Sequence, residues 1–523
     1  MKKLLSLILV TVLIISIGSI ASSALADSPR ETLTFYMDAD SKATAVIPSY
    51  EEMAYWKKVG EIFNVDIKFH HPAAGQNDVE FNLLLASGEM PDIVWYNWGK
   101  VNGGAEYLLE NGIILDLTEL FPEYAPNLYN YYLEHDELMD LAMLNHEKLY
   151  SFPKIKGDNT ILVTSGFQIR DDWLERLGLE VPRTIDDLHN VLLAFKNEDA
   201  NGNGDPDDEI PFTGSNAVYN RVNEVLAQCW GIYFNDFSFL DGKVVFGPYT
   251  EQYRDYITTA AQWYSEGLID PDYLSNDNTS FQSKILNDIG GFYQGTINGN
   301  LGTFLTAWQN NGSDSHLIPI SSPMKEEGAP HYSKEVQSYI SEDSAVITSN
   351  CKNVELAMKV LDYAYGEEGI MLSNYGIEGE SYTMVDGKPV FTDLILNNPD
   401  GYSATNALHM YNLAASQGPE IQLSDMFKQI ALHPEQVDAY NIFGAADVQK
   451  INLTNLSATE EQTSRLSSIM ADINTYVDEQ ANRFIMGLAS LDEYDAFVEQ
   501  LKAMGVEEAI EIKQAIYDKS FGG

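Results

Sequence analysis

The apolar positions of the first hundred residues switch between two periods. Thr32-Leu33-Thr34-Phe35-Tyr36 reads as a strand. Tyr50 to Phe63 carries Met53, Trp56, Val59, Gly60 and Phe63 at helical spacing. Val65, Ile67 and Phe69 alternate with polar residues, as in a half-buried strand. Val79 to Ala86 is helical again and is closed by Gly88 and Pro91, and Ile93-Val94-Trp95 is the next strand. This β-α-β-α-β rhythm predicts an α/β fold with a mostly parallel sheet under helices. Such sheets take ligands at the carboxyl ends of their strands. Trp95, Tyr96, Asn97 and Trp98 stand at one such end and are candidates to line a site; packing of the rings is the competing reading.

A second α/β pattern begins near Ile161. ILVTSGFQIR predicts a strand, and Asp171 to Leu177 a short helix stopped by Gly178. Thr184 and Asp187 form a capping box ahead of a helix with Ile185, Leu188, Val191, Leu192 and Phe195 on one face. Later helices are expected over Tyr253 to Glu266, from an Asn353 cap to Tyr365, and from Glu460 onward. A chain of 523 residues exceeds the usual size of one core, so two lobes are expected.

Residues 1–26 have the character of an export signal. Lys2 and Lys3 precede an apolar run, and Ala24-Leu25-Ala26 offers a cleavage site; a retained anchor helix is the alternative. No Cys follows that site, so no lipid anchor is expected. Cys229 and Cys351 are the only cysteines, and an oxidising compartment would permit their pairing. The formal charge of −47 makes nucleic acid and anionic lipid improbable partners.

DANGNGDPDDEIPF, residues 199–212, alternates oxygen-bearing side chains with small residues. Asp199, Asn201 and Asn203 match positions 1, 3 and 5 of a calcium loop, Gly204 position 6, Asp205 position 7 and Asp207 position 9. Position 12 is Ile210 instead of Glu, which leaves Asp208 and Glu209 as alternatives for closing the sphere. Oxygen-only ligands favour Ca²⁺, and a single loop with no second hand favours a structural clip over a sensor. The chain lacks a phosphate-binding G-x-x-x-x-G-K-[ST] loop, a G-x-S-x-G elbow, an H-E-x-x-H helix and a C-x-x-C pair. No catalytic residue is singled out.

Six segments in order carry a resemblance: SGEMPDIVWYNW, HEKLYSFP, IRDDWLERLGLEVPRTIDDL, DANGNGDPDDEIPF, WYSEGLIDPDYL and AVITSNCKNVELAMKVLDYAYGEEGIMLSNYGIEGESYTMVDGK. Together they resemble the extracellular solute-binding proteins of bacterial ABC importers, in the large oligosaccharide-binding group (family 1). The resemblance implies a periplasmic-binding-protein-like type II fold, with two α/β lobes closing on a ligand by a hinge. It implies a first lobe of residues 27–160 and 291–348 and a second of 161–290 and 349–523. It also implies a structural Ca²⁺ on the acidic loop, which here carries one residue more than many relatives before DEIP. Implied partners are an oligosaccharide, or another small polar ligand, and importer permease subunits, with the protein a monomer outside the cytoplasm, periplasmic or extracellular. The implied cleft residues are Trp95, Tyr96, Asn97, Trp98, Arg170, Asp171, Trp230, Tyr293, Gln294, Glu378 and Tyr382. Rings suit the C–H faces of a sugar, and amides, carboxylates and Arg suit its hydroxyls. A peptide binder and a secreted glycan-active enzyme are the alternatives.

Overall fold

The computed structural model describes residues 30–144, 147–217, 220–240, 242–333, 338–446 and 458–521. The expected export segment therefore lies outside the described residues. Two sheets organise the chain. The first has six strands: β1 (Glu31–Tyr36), β2 (Val65–His70), β3 (Ile93–Asn97), β4 (Ser151–Lys156), β11 (Ile340–Ile347) and β14 (Glu420–Gln422), in the order β14-β4-β11-β3-β1-β2. The second contains β5 (Ser165–Ile169), β6 (Ile210–Phe212), β9 (Gly290–Thr296) and β10 (Ile318–Pro319), in the order β10-β5-β9-β6. Two hairpins complete the strands: β7 (Phe237–Leu240) with β8 (Lys243–Phe246), and β12 (Tyr382–Val385) with β13 (Lys388–Phe391).

The predicted local structure follows from its side chains. β1 pairs in parallel with β2 and β3. The helix Ala54–Ile62 buries Trp56 and Val59 on the sheet. Gly60 is required there, because a Cβ would stand 2.9 Å from the Val65 carbonyl. Gly178 ends the helix Asp171–Leu177 in the left-handed region, and the Thr184–Asp187 capping box opens Ile185–Asn197. Asn353 caps the helix Val354–Asp362 through the Leu356 amide.

The expected lobe division needs correction. β9 pairs antiparallel with β5 and parallel with β6, so residues 290–296 belong to the second sheet. The helix Gly302–Asn311 that follows packs in the same lobe, around Phe304 and Trp308. The chain returns to the first sheet only with β11, which runs antiparallel between β3 and β4. Residues beyond 349 then stay in the first lobe: Ala357, Met358 and Leu361 join its core, and β14 pairs with β4. The last crossing follows β14, and the helices Pro434–Gly444 and Glu460–Ile485 supply Ala439, Phe443, Ile473 and Val477 to second-lobe cores. The chain therefore passes between the lobes three times. Cys229 and Cys351 are both free and buried, one in each lobe's core.

Candidate ligand cleft

The carboxyl ends of β1, β3, β4 and β14 lie along one edge of the first sheet, beside the start of β11, and the crossings to the second lobe leave from this edge. A cavity of about 470 Å³ opens here. Asn97, Trp98, Lys100, Tyr150 and Glu342 line it from the first lobe. Ala458 and Thr463, at the start of the Glu460–Ile485 helix, line it from across the gap. The register of β11 on β3, Asp343 opposite Asn97, brings Glu342 to the β3 end, where it accepts a 2.9 Å hydrogen bond from Asn97 Nδ2. Lys100 is held by Asp78 at 3.2 Å. Desolvation raises the carboxyls of Asp38 and Asp343 above their ordinary range. A second cavity of about 480 Å³ is walled by the crossing segments themselves, including Lys156, Asp158, Asn159 and Tyr339.

Of the residues singled out from the sequence, Asn97 and Trp98 line this cavity. The three rings around Asn97 serve the core instead of an open platform. Trp95 packs into the helix-covered face of the first sheet. Tyr96 stacks on Phe81 at 4.0 Å and donates to Asp78 at 2.8 Å. The Trp98 indole donates to Ser344 Oγ at 2.9 Å, which leaves one part of the ring for the cavity.

Arg170 is the clearest departure. Its side chain is 0% exposed, paired with Asp172 at 2.5 Å and with Asp288, and its guanidinium lies 4.9 Å from the Trp173 ring and 5.1 Å from Trp308. It pins the second lobe and does not reach the cleft. Asp171 is likewise engaged away from a ligand, because His316 Nδ1 sits 2.8 Å from it while His316 Nε2 meets Glu435 at 3.0 Å. Tyr293 is fully buried and donates to Gln168. Gln294 is buried and accepts from Gln228. Trp230 is buried with the Lys325 ammonium 5.0 Å from its ring. Tyr382 packs on Tyr375 and Glu378 is exposed on the adjoining turn; neither lines the cleft cavity. Lys100, Tyr150, Glu342 and Thr463 were not singled out from the sequence. The register of β11 on β3 brings Glu342 there, and the helix Glu460–Ile485 brings Thr463.

The His316 bridge ties the helix after the last crossing to the second lobe. Asp171, then Glu435, raises the imidazole from its ordinary 6.5 to about 9, against an opposing desolvation; His433 is the other titratable group nearby. A group raised on folding stabilises fully below 6.5 and loses that contribution as pH climbs through about 9. With 39% of the side chain in water, screening leaves about 1 kcal/mol. Thermal melts should place His316→Gln below the parent at pH 6 and level with it at pH 10. An equal gap at both pH values would remove the bridge from the account.

In the acidic loop, Gly202 and Gly204 take positive φ, and Asn201, Asn203 and Asp205 each accept the backbone amide two residues on. Asp208 accepts from the Asn201 and Asn203 amides at 2.9 and 2.7 Å. Asp199 Oδ1 and Glu209 Oε2 are buried with no hydrogen-bond partner. Burial raises the Glu209 carboxyl. Two orphaned carboxylate oxygens in one loop fit a hard cation. Among the described residues no three His, Cys, Asp or Glu side chains form a metal-holding group, so asparagine oxygens would have to contribute.

Two α/β lobes, three crossings and a cavity at the sheet edge between them define a binding protein of the periplasmic-binding-protein-like type. Residues 47–371 match the family described as bacterial extracellular solute-binding protein. The chain belongs to that family. It is 28% identical over 460 residues to the fructooligosaccharide ABC transporter substrate-binding protein FusA of Streptococcus pneumoniae serotype 4, covering 84% of this chain and 82% of that one. Among solved structures it resembles the alginate-binding protein AlgQ2 without calcium ion, with TM-score 0.67, 25% identity, and coverage of 94% of this chain and 99% of that one. It also shares its fold with the S. pneumoniae FusA EF-hand mutant in complex with fructo-nystose, with TM-score 0.68, 24% identity and the same coverage.

Proposed function

We propose that this protein is the ligand-capturing component of an ABC importer, closing its lobes on an oligosaccharide and presenting it to a membrane permease. The cavity shared by both lobes carries this reading: it joins an indole and a phenol to an amide, a carboxylate and an ammonium, the mixture that sugar faces and hydroxyls require. The fructooligosaccharide-binding relative supports the same ligand class. Binding without turnover is the expected activity, since closure needs only a ligand that favours the closed state. The protein would act outside the cytoplasm as a monomer, with no nucleic-acid partner. No helix among the described residues is long and apolar enough to cross a membrane.

The acidic loop would hold a structural Ca²⁺ through Asp199, Asn201, Asn203, Asp205 and Glu209. Glu209 is favoured over Asp207 and Asp208 as the closing ligand, because its free oxygen is buried while both Asp208 oxygens are taken by amides. The ion would supply a fixed positive centre that locks the loop. Two structural neighbours, an alginate-binding protein described without calcium ion and an EF-hand mutant of FusA, support it.

A thermal-shift panel of purified oligosaccharides and peptides tests the ligand class, because a bound ligand raises the melting temperature. Oligosaccharides should give the shifts, and Asn97→Ala should weaken the best of them about tenfold, the value of one hydrogen bond to a charged or polar partner. Shifts from peptides alone would sink the proposal.

A further inference from the structure

The charge of the ligand is legible at the cleft wall, given the oligosaccharide reading above. Among the described residues lining the cavity, Lys100 is the only cation, and Asp78 holds it. Two other described cations near this edge are also engaged. Lys154 is paired with Glu420 at 3.1 Å and donates to the Ser416 carbonyl. Lys156 donates to Gln422 and faces the crossing cavity. Arg170, the one arginine that the sequence placed in the cleft, is sealed in the second lobe.

The carboxylates show the opposite pattern. Among the described ion pairs none contains Asp38, Glu342 or Asp343. Of the three, Glu342 lines the cavity; Asp343 beside it feels Glu342 and Asp38 in one sense and Lys100 and Lys154 in the other. The helix start that faces the cavity from the second lobe adds no anion seat. Thr459 and Gln462 cap each other there, and Glu461 stands in the first turn.

We propose that the cleft selects uncharged oligosaccharides and rejects those carrying uronic acids, with Glu342, which lines the cavity beside Asn97, as the discriminating group. Ionised carboxylates only accept hydrogen bonds, so they suit a ligand made of hydroxyl donors. A ligand carboxylate brought to the same wall meets like charge without a free cation among the described lining residues to balance it. This departs from the alginate ligand named for one structural neighbour.

Calorimetry on matched pairs tests the inference. Neutral fructan, glucan and galactan trisaccharides are titrated before and after oxidation of their primary alcohols to carboxylates. The oxidised form of any binder should bind at least about a hundredfold more weakly, the effect of a few kcal/mol of like-charge contact. The Glu342→Gln variant should narrow that gap about tenfold, and added salt should narrow it as well. Equal or tighter binding of an oxidised form, or a gap unchanged in the variant, would overturn the inference while leaving the oligosaccharide reading intact. If no sugar of either kind binds, the reading and the inference fall together.

Discussion

Arg170→Met is expected to destabilise the protein by about 3 kcal/mol without weakening sugar binding at low temperature. The guanidinium is wholly buried and answers two acids at once, Asp172 and Asp288, between the Trp173 and Trp308 rings. Removing one partner of a buried pair costs about 3–5 kcal/mol, because the remaining charge is left without balance. The lower end applies, since Asp288 keeps 37% of its side chain in water and can be solvated. Lost cation–π contacts add to the cost. Arg170→Lys should recover only part of it, because an ammonium cannot fork to two carboxylates while lying flat between indoles. Urea titration followed by tryptophan fluorescence measures the change. Parental stability together with lost sugar affinity would return Arg170 to the cleft.

Chelation should produce the second large effect. If Asp199 and Glu209 close on Ca²⁺, removing the ion leaves a buried carboxylate oxygen of each without a partner. A site held at a hundredfold excess over its Kd adds about 2.7 kcal/mol to stability. For a lobe of this size that corresponds to roughly 5–10 °C in Tm. EDTA should lower the melting temperature by that amount, and added calcium should restore it. Glu209→Gln should start low and ignore EDTA, whereas Asp207→Asn should behave like the parent. Affinity for a bound sugar at low temperature should persist through chelation, because the loop lies in the second lobe, away from the cavity at the first sheet's edge. A parent protein whose Tm does not respond to EDTA would contradict the clip.

Much of the fold was readable because its signals are local. The alternation of Leu33 with Phe35, and of Val65 with Ile67, needs no tertiary partner to be seen. The Thr184 capping box and the Gly178 stop are likewise written within a few residues. The ordered motifs were enough to suggest the family. The lobe boundary was harder. GGFYQGT is buried on both faces in either sheet, and only its ladder to β5 assigns it to the second. Arg170 misled for the same reason: its Asp288 partner is distant in sequence, so a charge beside a crossing resembled a ligand clasp. The ring cluster at 95–98 divides between core and cavity. Trp95 and Tyr96 fall on opposite faces of β3 and into different cores, which left Asn97 and Trp98 at the cavity. Lys100 and Glu342 carry no motif; the register of Asp343 on Asn97 brings Glu342 to the β3 end, beside Lys100.

Capture of an oligosaccharide between the lobes without turnover is checked by titrating the purified protein with neutral oligosaccharides in a calorimeter and then recovering the sugar by chromatography. Binding should saturate at one sugar per chain, and every sugar should be recovered intact after prolonged incubation. Cleaved sugar in the recovered fraction, or no binding to any oligosaccharide, would contradict it.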